Sequence, residues 1–306
     1  MNTVSRNRCR STLKTLLIAA ALMVRLFAAP LPAFPADVLI LKDADIKPYQ
    51  DAILGFQKTC NCSVQEMDLS DLGALEKALK AKPDAVVAFG TRAFRKIKAI
   101  RNIPLIYTMV MPSETADAIG ENVSGVSMDI APAAYLTAMA GLFPDAKRIG
   151  VIFNPDQTGL LVREASVVAL EKGVSLVLKP VRNPHEAPAL LDELRGKIEV
   201  LWMLPDATIV NSEMIDAMLL FSFQQNVPIF SFSKKYVDMG SVAALTIDPQ
   251  NMGKQAGEMA RSLLQDGKGP LRAYAGTPRL IINKKVSAKL GVRINGEHVK
   301  NAEAVE

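Results

Sequence analysis

The chain has 306 residues, which is enough for two domains with separate hydrophobic cores. Its composition, 49% apolar and 6% aromatic, is typical of a globular α/β protein. The net charge of +5 comes entirely from residues 1–36, which hold five basic residues and no acid. Residues 37–306 carry 31 basic and 31 acidic side chains, and this balance argues against nucleic acid as a partner.

The first 36 residues have the parts of a secretory signal peptide. Basic residues precede an apolar run from Leu16 to Val24, and small residues lead to a cleavage point at Ala33 or Ala36. We therefore predict a signal peptide over residues 1–36 and a periplasmic or extracellular mature protein, with an uncleaved amphipathic anchor as the alternative. No cysteine lies near the end of the leader, so we expect no lipid anchor.

Strand and helix patterns alternate from residue 37 to residue 127. The predicted elements are strands at 37–41, 64–69, 84–89, 104–111 and 122–127, with helices at 49–58 and 70–80 and one beginning at 90–92. This order predicts a mostly parallel sheet with helices on both faces.

A second unit with the same plan follows. Its predicted helices are at 132–142, 160–171, 185–195, 211–225 and 249–265, and its predicted strands are at 149–153, 174–178, 199–204, 228–233, 242–247 and 279–283. The strand at 149–153 is apolar without alternation, as expected when both faces of a sheet are covered. Ligands of open α/β sheets bind outside the carboxyl ends of the strands, so we predict a site between the two units.

Nucleotide-binding glycine loops and the serine-hydrolase elbow are absent from the sequence, and we predict no cofactor, no metal and no catalytic residue. His185 and His298 do not follow strands. Cys60 and Cys62 are too few ligands for a metal site, and we expect two thiols at a helix end rather than a strained disulfide.

Polar or small residues recur where the predicted strands end. Thr91 stands at a helix start that can cradle a carboxylate, Asp206 can pair with an ammonium group, and Phe232 can stack on a ligand. Capping of the adjacent helix is the alternative for each polar residue. The strand-end residues are Gly90, Thr91, Arg92, Ser127, Asn154, Asp206, Phe232 and Ser233.

Segments in the same order over residues 38–292 resemble a known family. They include Val87-Ala-Phe-Gly-Thr91, Asn122-Val-Ser-Gly-Val-Ser127, Arg148-Ile-Gly-Val-Ile-Phe-Asn-Pro155 and Met252-Gly-Lys-Gln-Ala256. The chain resembles ABC-transporter substrate-binding proteins related to tryptophan/tyrosine uptake, a branch of the type I periplasmic-binding fold. The resemblance implies two Rossmann-like lobes with parallel sheets, three crossovers, a ligand cleft between the lobes and a membrane permease as partner. It also adds Thr208 to the ligand loops.

We therefore predict a monomeric, exported, non-enzymatic protein that binds a small organic acid or amino-acid-like molecule. Lobe one is expected to hold residues 37–130 and 235–268, and lobe two residues 131–234 and 269–306. We expect Gly90–Arg92 and Asp206 on facing walls of the cleft. The alternatives are a periplasmic sensor subunit and an enzyme that uses Asp206 or Asp156 as acid or base.

Overall fold

The computed structural model describes residues 36–70, 72–115, 122–265, 271–299 and 302–305. Residues 36–306 form one compact unit. The signal peptide predicted over residues 1–36 lies outside the described residues, except for Ala36, and stays a prediction.

The described residues form an alternating series of strands and helices. The strands are β1 (Asp37–Lys42), β2 (Ser63–Asp68), β3 (Ala85–Phe89), β4 (Leu105–Val110), β5 (Val123–Ser127), β6 (Arg148–Phe153), β7 (Ser175–Pro180), β8 (Val200–Trp202), β9 (Ile229–Ser231), β10 (Ala243–Thr246), β11 (Arg272–Tyr274), β12 (Arg279–Asn283) and β13 (Glu303–Val305). The helices are α1 (Lys47–Cys60), α2 (Leu72–Lys80), α3 (Thr91–Ile97), α4 (Pro112–Thr115), α5 (Pro132–Leu142), α6 (Pro155–Glu171), α7 (Ala187–Asp192), α8 (Ser212–Gln225), α9 (Lys234–Met239), α10 (Pro249–Gln265), α11 (Lys284–Lys289) and α12 (Gly296–Val299).

The first sheet has the strand order β11-β5-β4-β3-β1-β2, and all its neighbouring strands are parallel. Val38 and Ile40 of β1 pack with α1 and α10 on one face, whereas Leu39 and Leu41 pack with α2 and α3 on the other. Helices thus cover both faces of the sheet, which explains why β3 is apolar throughout.

The second sheet has the order β13-β12-β10-β9-β8-β6-β7. Its strands are parallel where they pair, except that β12 runs antiparallel to β10. Helices α5, α6 and α11 cover one face, and α7, α8 and α9 cover the other. Trp202 lies in the first of these cores with 1% of its surface exposed. The molecule is thus an α/β protein with two mostly parallel sheets.

Three segments cross between the sheets, as the family resemblance implied. They are residues 128–131 after β5, residues 247–248 after β10 and residues 275–278 after β11. The expected lobe boundaries were wrong in two places. Residues 235–246 belong with the second sheet, because β10 pairs with β9 and β12. Residues 272–274 belong with the first sheet, because β11 extends its edge beside β5.

Short elements account for other differences between the predicted and the observed secondary structure. The helix predicted at 185–195 is a 3₁₀ turn at Pro184–Glu186 followed by α7, with prolines at 184 and 188 near its start. Strands β11 and β13 and helix α9 were not predicted. Each has three to six residues, which is too short for a clear hydrophobic period.

The expected pair of free thiols was also wrong, because Cys60 and Cys62 form a disulfide. Asn61, between them, has the left-handed angles φ 53° and ψ 47° at the end of α1. This turn brings the two Cα atoms to 5.3 Å, within the usual disulfide range of about 4.4–6.8 Å.

Candidate functional site

The predicted site residues all follow strands that run in parallel, at the carboxyl edges of the two sheets. In the first sheet they follow β3 and β5. In the second they follow β6, β8 and β9. Hydrogen bonds connect the predicted residues of the second lobe to one another, whereas those of the first lobe bond to neighbours that were not predicted.

In the first lobe, the loop from Gly90 to Arg92 is organised by Asp43, a buried carboxylate that sequence reasoning missed. Asp43 Oδ2 accepts the Arg92 backbone N–H at 2.9 Å, and Oδ1 accepts that of Ala93. The Arg92 guanidinium also donates to the Asp43 carbonyl at 2.7 Å. The predicted cradle at the start of α3 is thus largely filled by the protein's own carboxylate.

Gly90 leaves space for these contacts. Its φ is +107°, and a Cβ built on it would lie 2.5 Å from Asp43 Cγ and 2.7 Å from the Tyr49 hydroxyl. Both the backbone angle and the close approach therefore require glycine at this position. Burial and the charge of Asp43 raise the pKa of Tyr49.

Thr91 does not cap its helix. Its hydroxyl accepts the backbone N–H of Met111 at 3.0 Å, which ties the end of β3 to the end of β4. Ser127, at the end of β5, donates to Asp129 Oδ2 over 3.4 Å. Thr91 and Ser127 therefore lie on either side of the β4 terminus, since β4 runs between β3 and β5.

Asp129 lies in the first crossover between the lobes. Burial raises the pKa of Asp129 to about 6; the hydrogen bond from Ser127 partly opposes this shift, and the nearby charge of Glu164 adds a smaller increase. Glu164 belongs to α6 of the second lobe and accepts a hydrogen bond from the Tyr274 hydroxyl at the end of β11. Within the described residues, Asp129 forms no ion pair. Its side chain is thus a carboxylate without a counter-charge, placed where the two lobes join.

In the second lobe, hydrogen bonds bring Asn154, Asp206 and Thr208 together. Asp206 Oδ2 accepts the Asn154 N–H at 2.7 Å and the Thr158 hydroxyl at 2.8 Å, and Oδ1 accepts the Thr208 N–H at 3.0 Å. The Asn154 side-chain amide donates to the Thr208 hydroxyl at 2.8 Å. Asp206 is only 1% exposed, so its carboxylate holds the two loops together within the lobe.

Phe232 and Ser233 follow β9. Phe232 is partly buried and its ring lies 5.1 Å from that of Tyr236. The Ser233 hydroxyl accepts the Lys235 N–H at 3.3 Å, which makes Ser233 the cap of α9. Ser233 therefore caps a helix, which was the alternative to a ligand contact for this residue.

Asp43, Asp129 and Tyr274 are the residues that sequence reasoning did not select. Asp43 follows the first strand and Asp129 lies two residues after Ser127, so the strand-end rule was sufficient to find both. Tyr274 lies on a strand that was not predicted, and nothing in its local sequence marks it. Among the described residues, no His, Cys, Asp or Glu group can hold a metal.

Asp156, the other acid considered for catalysis, is exposed and pairs with Arg182 at 2.9 Å. Among residues with described positions, the helices are all too short or too polar to span a bilayer.

The comparisons with known proteins agree with this architecture. Residues 41–306 match the family model for ABC transporter substrate binding proteins. The chain is 28% identical over 237 residues to a tyrosine-binding protein of Clostridioides difficile, covering 73% of this chain and 68% of that protein.

Two solved structures share the fold. A ligand-free, open structure of a substrate binding protein with adhesive properties from Clostridium difficile is 20% identical, with a TM-score of 0.69 over 89% of this chain and 99% of that one. A Streptococcus pneumonia ABC domain in complex with L-Trp is 21% identical, with a TM-score of 0.56 over 89% and 100%. Together with the two sheets and three crossovers, the family match shows that the chain belongs to the ABC transporter substrate binding proteins.

Proposed function

We propose that the chain is an exported binding protein that captures an L-amino acid between its two lobes and delivers it to a membrane permease. Membership of the substrate-binding family supports capture and delivery. The tyrosine-binding relative and the L-Trp complex of a fold neighbour support an amino acid as the ligand. The leader at residues 1–36 supports export.

The observation that carries the amino-acid assignment is the isolated carboxylate of Asp129. It has no cationic partner within the described residues, burial raises its pKa, and Glu164 increases the negative charge beside it. A ligand ammonium would neutralise this charge and would lower the pKa of Asp129 again. We assign the ammonium contact to Asp129 rather than to Asp206, because three protein donors already occupy the Asp206 carboxylate.

The carboxylate of the ligand requires a donor in the same region. The Arg92 side chain is exposed, and one of its terminal nitrogens donates to the Asp43 carbonyl, which leaves other N–H groups of the guanidinium for a ligand. Gly90 and Thr91 hold Arg92 at the sheet edge, and Ser127 holds Asp129. Asn154, Thr208, Phe232 and Ser233 supply the facing wall in this proposal.

Isothermal titration calorimetry with L-tyrosine, L-tryptophan and D-ribose tests the proposal. We expect at least one of the two amino acids to bind and ribose not to bind. Asp129→Asn should weaken amino-acid binding at least tenfold, since it removes the charge that pairs with the ammonium group.

Asp145→Asn is the matched control, because Asp145 is an exposed carboxylate that precedes β6 at the opposite edge of the second sheet. The affinity of the Asp145→Asn variant for the amino acid should equal that of the parent. Binding of ribose alone, or equal affinity in Asp129→Asn and the parent, would contradict the proposal.

A further inference from the structure

Helix α6 of the second lobe carries apolar side chains on its solvent side as well as on its buried side. Ala165 and Ala169 are buried against the core. On the opposite side, Leu160 and Val167 are each 60% exposed, and Leu170 is 80% exposed. The solvent side of a surface helix is normally polar, and a continuous apolar stripe there is typical of a contact surface.

Helix α10, which also has 17 residues, shows the ordinary pattern. Its exposed residues are Glu258, Arg261 and Gln265, which are all polar. The stripe on α6 is therefore not a general feature of the long helices in this fold. The edge strand β7 extends the stripe with Leu178, which is 37% exposed and lies on the same side of the sheet as Leu176, which packs against the core beneath α6.

Two opposite charges lie on the same face of α6. Arg163 and Glu171 are exposed, and neither forms an ion pair within the described residues. Arg163 precedes Val167 by four residues and Glu171 follows it by four, so all three lie on one side of the helix. The exposed stripe is thus positively charged on one side of Val167 and negatively charged on the other.

A surface of this kind is complementary to itself. When two α6 helices pack antiparallel about a two-fold axis at Val167, Arg163 of one copy lies level with Glu171 of the partner subunit, and the reverse pair forms as well. The same packing covers the exposed apolar side chains of both helices. Two-fold interfaces use one patch on both subunits and therefore need such self-complementarity.

From this pattern we infer that the protein forms a two-fold dimer in which α6 of one copy packs against α6 of a second copy. The interface lies on the second lobe, and it does not depend on which ligand the cleft binds. A dimer takes the place of the monomer that was expected from the sequence. A contact built on one helix and the edge of one strand is small, and interfaces below about 1,200 Å² are typical of weak association. The dimer fraction should therefore depend on the protein concentration.

Sedimentation velocity of the exported and purified protein over a range of concentrations tests this inference. We expect the parent to shift from monomer to dimer as the concentration rises. Val167→Glu should raise the dissociation constant of the dimer at least tenfold, because two carboxylates would meet at the two-fold axis. Leu220→Glu is the matched control, since Leu220 is 59% exposed on α8 of the same lobe, and this variant should dimerise like the parent.

A charge exchange tests the two-fold symmetry itself. Arg163→Glu and Glu171→Arg should each weaken the dimer, because each places like charges opposite one another, whereas the double variant should restore it. Circular dichroism confirms that all variants are folded. A parent that stays monomeric at every concentration would overturn the inference and leave the exposed face of α6 to a different partner. A dimer that Val167→Glu does not weaken, or that the double charge exchange does not restore, would overturn it as well.

Discussion

Asp206 shows how a single buried carboxylate can organise the loops at the edge of one sheet. It accepts backbone N–H groups from the loops after β6 and β8, and it also accepts the Thr158 hydroxyl at the start of α6. All three donors would be unsatisfied or misdirected without it. Its position at a strand end indicated a polar role, but only the contacts distinguish an internal partner from a ligand group.

Replacement of Asp206 by Asn should therefore reduce stability. Both carboxylate oxygens accept hydrogen bonds, so either orientation of the amide would point its NH₂ group at a protein donor. We expect Asp206→Asn to lower the free energy of unfolding by about 2–4 kcal/mol. Urea denaturation followed by the fluorescence of Trp202, the single tryptophan and a neighbour of this loop in sequence, measures the change.

Asp156→Asn is the control for this change. Asp156 lies on the surface beside Arg182, where an ion pair contributes about 1 kcal/mol or less. Equal losses in the two variants would show that the hydrogen bonds of Asp206 are not what stabilises the loops.

The raised pKa of Asp129 implies that the free energy of unfolding depends on pH, and the sign of this dependence can be derived. Its folded pKa is about 6 and its ordinary value is 3.8, so the folded chain binds more protons than the unfolded chain between these values. Its contribution to the free energy of unfolding therefore falls as the pH rises from about 4 to about 6, and the loss remains above that range. Asp129→Asn removes this loss.

We therefore expect Asp129→Asn to raise the ligand-free melting temperature more at pH 7.5 than at pH 4. Asp145→Asn, measured by the same calorimetric scans, should show no such difference. A variant that is more stable at neutral pH but binds amino acids more weakly would identify a carboxylate kept for binding rather than for folding. A gain that is equal at both pH values would contradict the raised pKa.

At the scale of the elements, the packing between α1 and α10 is especially close. Gly253 and Gly257 of α10 and Gly55 of α1 face the partner helix, and a Cβ on any of them would overlap atoms of that helix. The Thr59 hydroxyl donates to the Lys254 carbonyl at 2.8 Å across the same contact. Because α10 directly follows the second crossover, this contact fixes the end of that crossover to the first lobe.

Gly253→Ala should consequently destabilise the protein by about 3 kcal/mol, since the added methyl group would overlap the backbone carbonyl of Ala52. Gly73→Ala is the matched control, because Gly73 also lies in a helix but a methyl group added there would meet no atom within 4 Å. That control should gain about 0.5–1 kcal/mol. Urea denaturation followed by circular dichroism gives both values, and changes of the same sign would contradict the packing.

The elements also show what can be predicted from the sequence and what cannot. Long apolar runs such as β3 and β6 were predicted within one residue of their observed ends, because burial on both faces leaves only apolar side chains. The three-residue strand β11 has no such pattern, and its place depends on pairing with β5, far away in the chain. The lobe boundaries were wrong for the same reason, since they depend on which sheet a short strand joins.

The candidate site could likewise be predicted from the sequence only in part. The strand-end rule found residues of both lobes, because the carboxyl ends of parallel strands lie at one edge of a sheet. It did not separate Asp206, which binds only protein donors, from Asp129, the ligand contact that we propose, because both acids follow strand ends. The register shift within β4 was not predicted either, since the left-handed angle of Met109 follows from tertiary packing and not from its propensity.

At the scale of the whole molecule, a ligand that contacts both lobes should stabilise them together. Ligand at 100 times its dissociation constant stabilises the folded state by about 2.7 kcal/mol. For a chain of this size, that corresponds to a rise of about 4–5 °C in the melting temperature. Calorimetric scans with and without L-tyrosine or L-tryptophan should show the rise for the whole unfolding transition. A shift of only one of two resolved transitions would place the ligand within a single lobe.

The central claim, that this chain binds an amino acid between its lobes, is tested most directly by mass spectrometry of small molecules released from the protein. The full-length chain is expressed, exported, purified without added ligand and denatured, and the Asp129→Asn variant is treated identically. We predict that the parent releases a stoichiometric amount of an amino acid with an apolar or aromatic side chain, and that the variant releases at least tenfold less. Release of a sugar or another compound without an amino group, in equal amounts from both proteins, would contradict the claim.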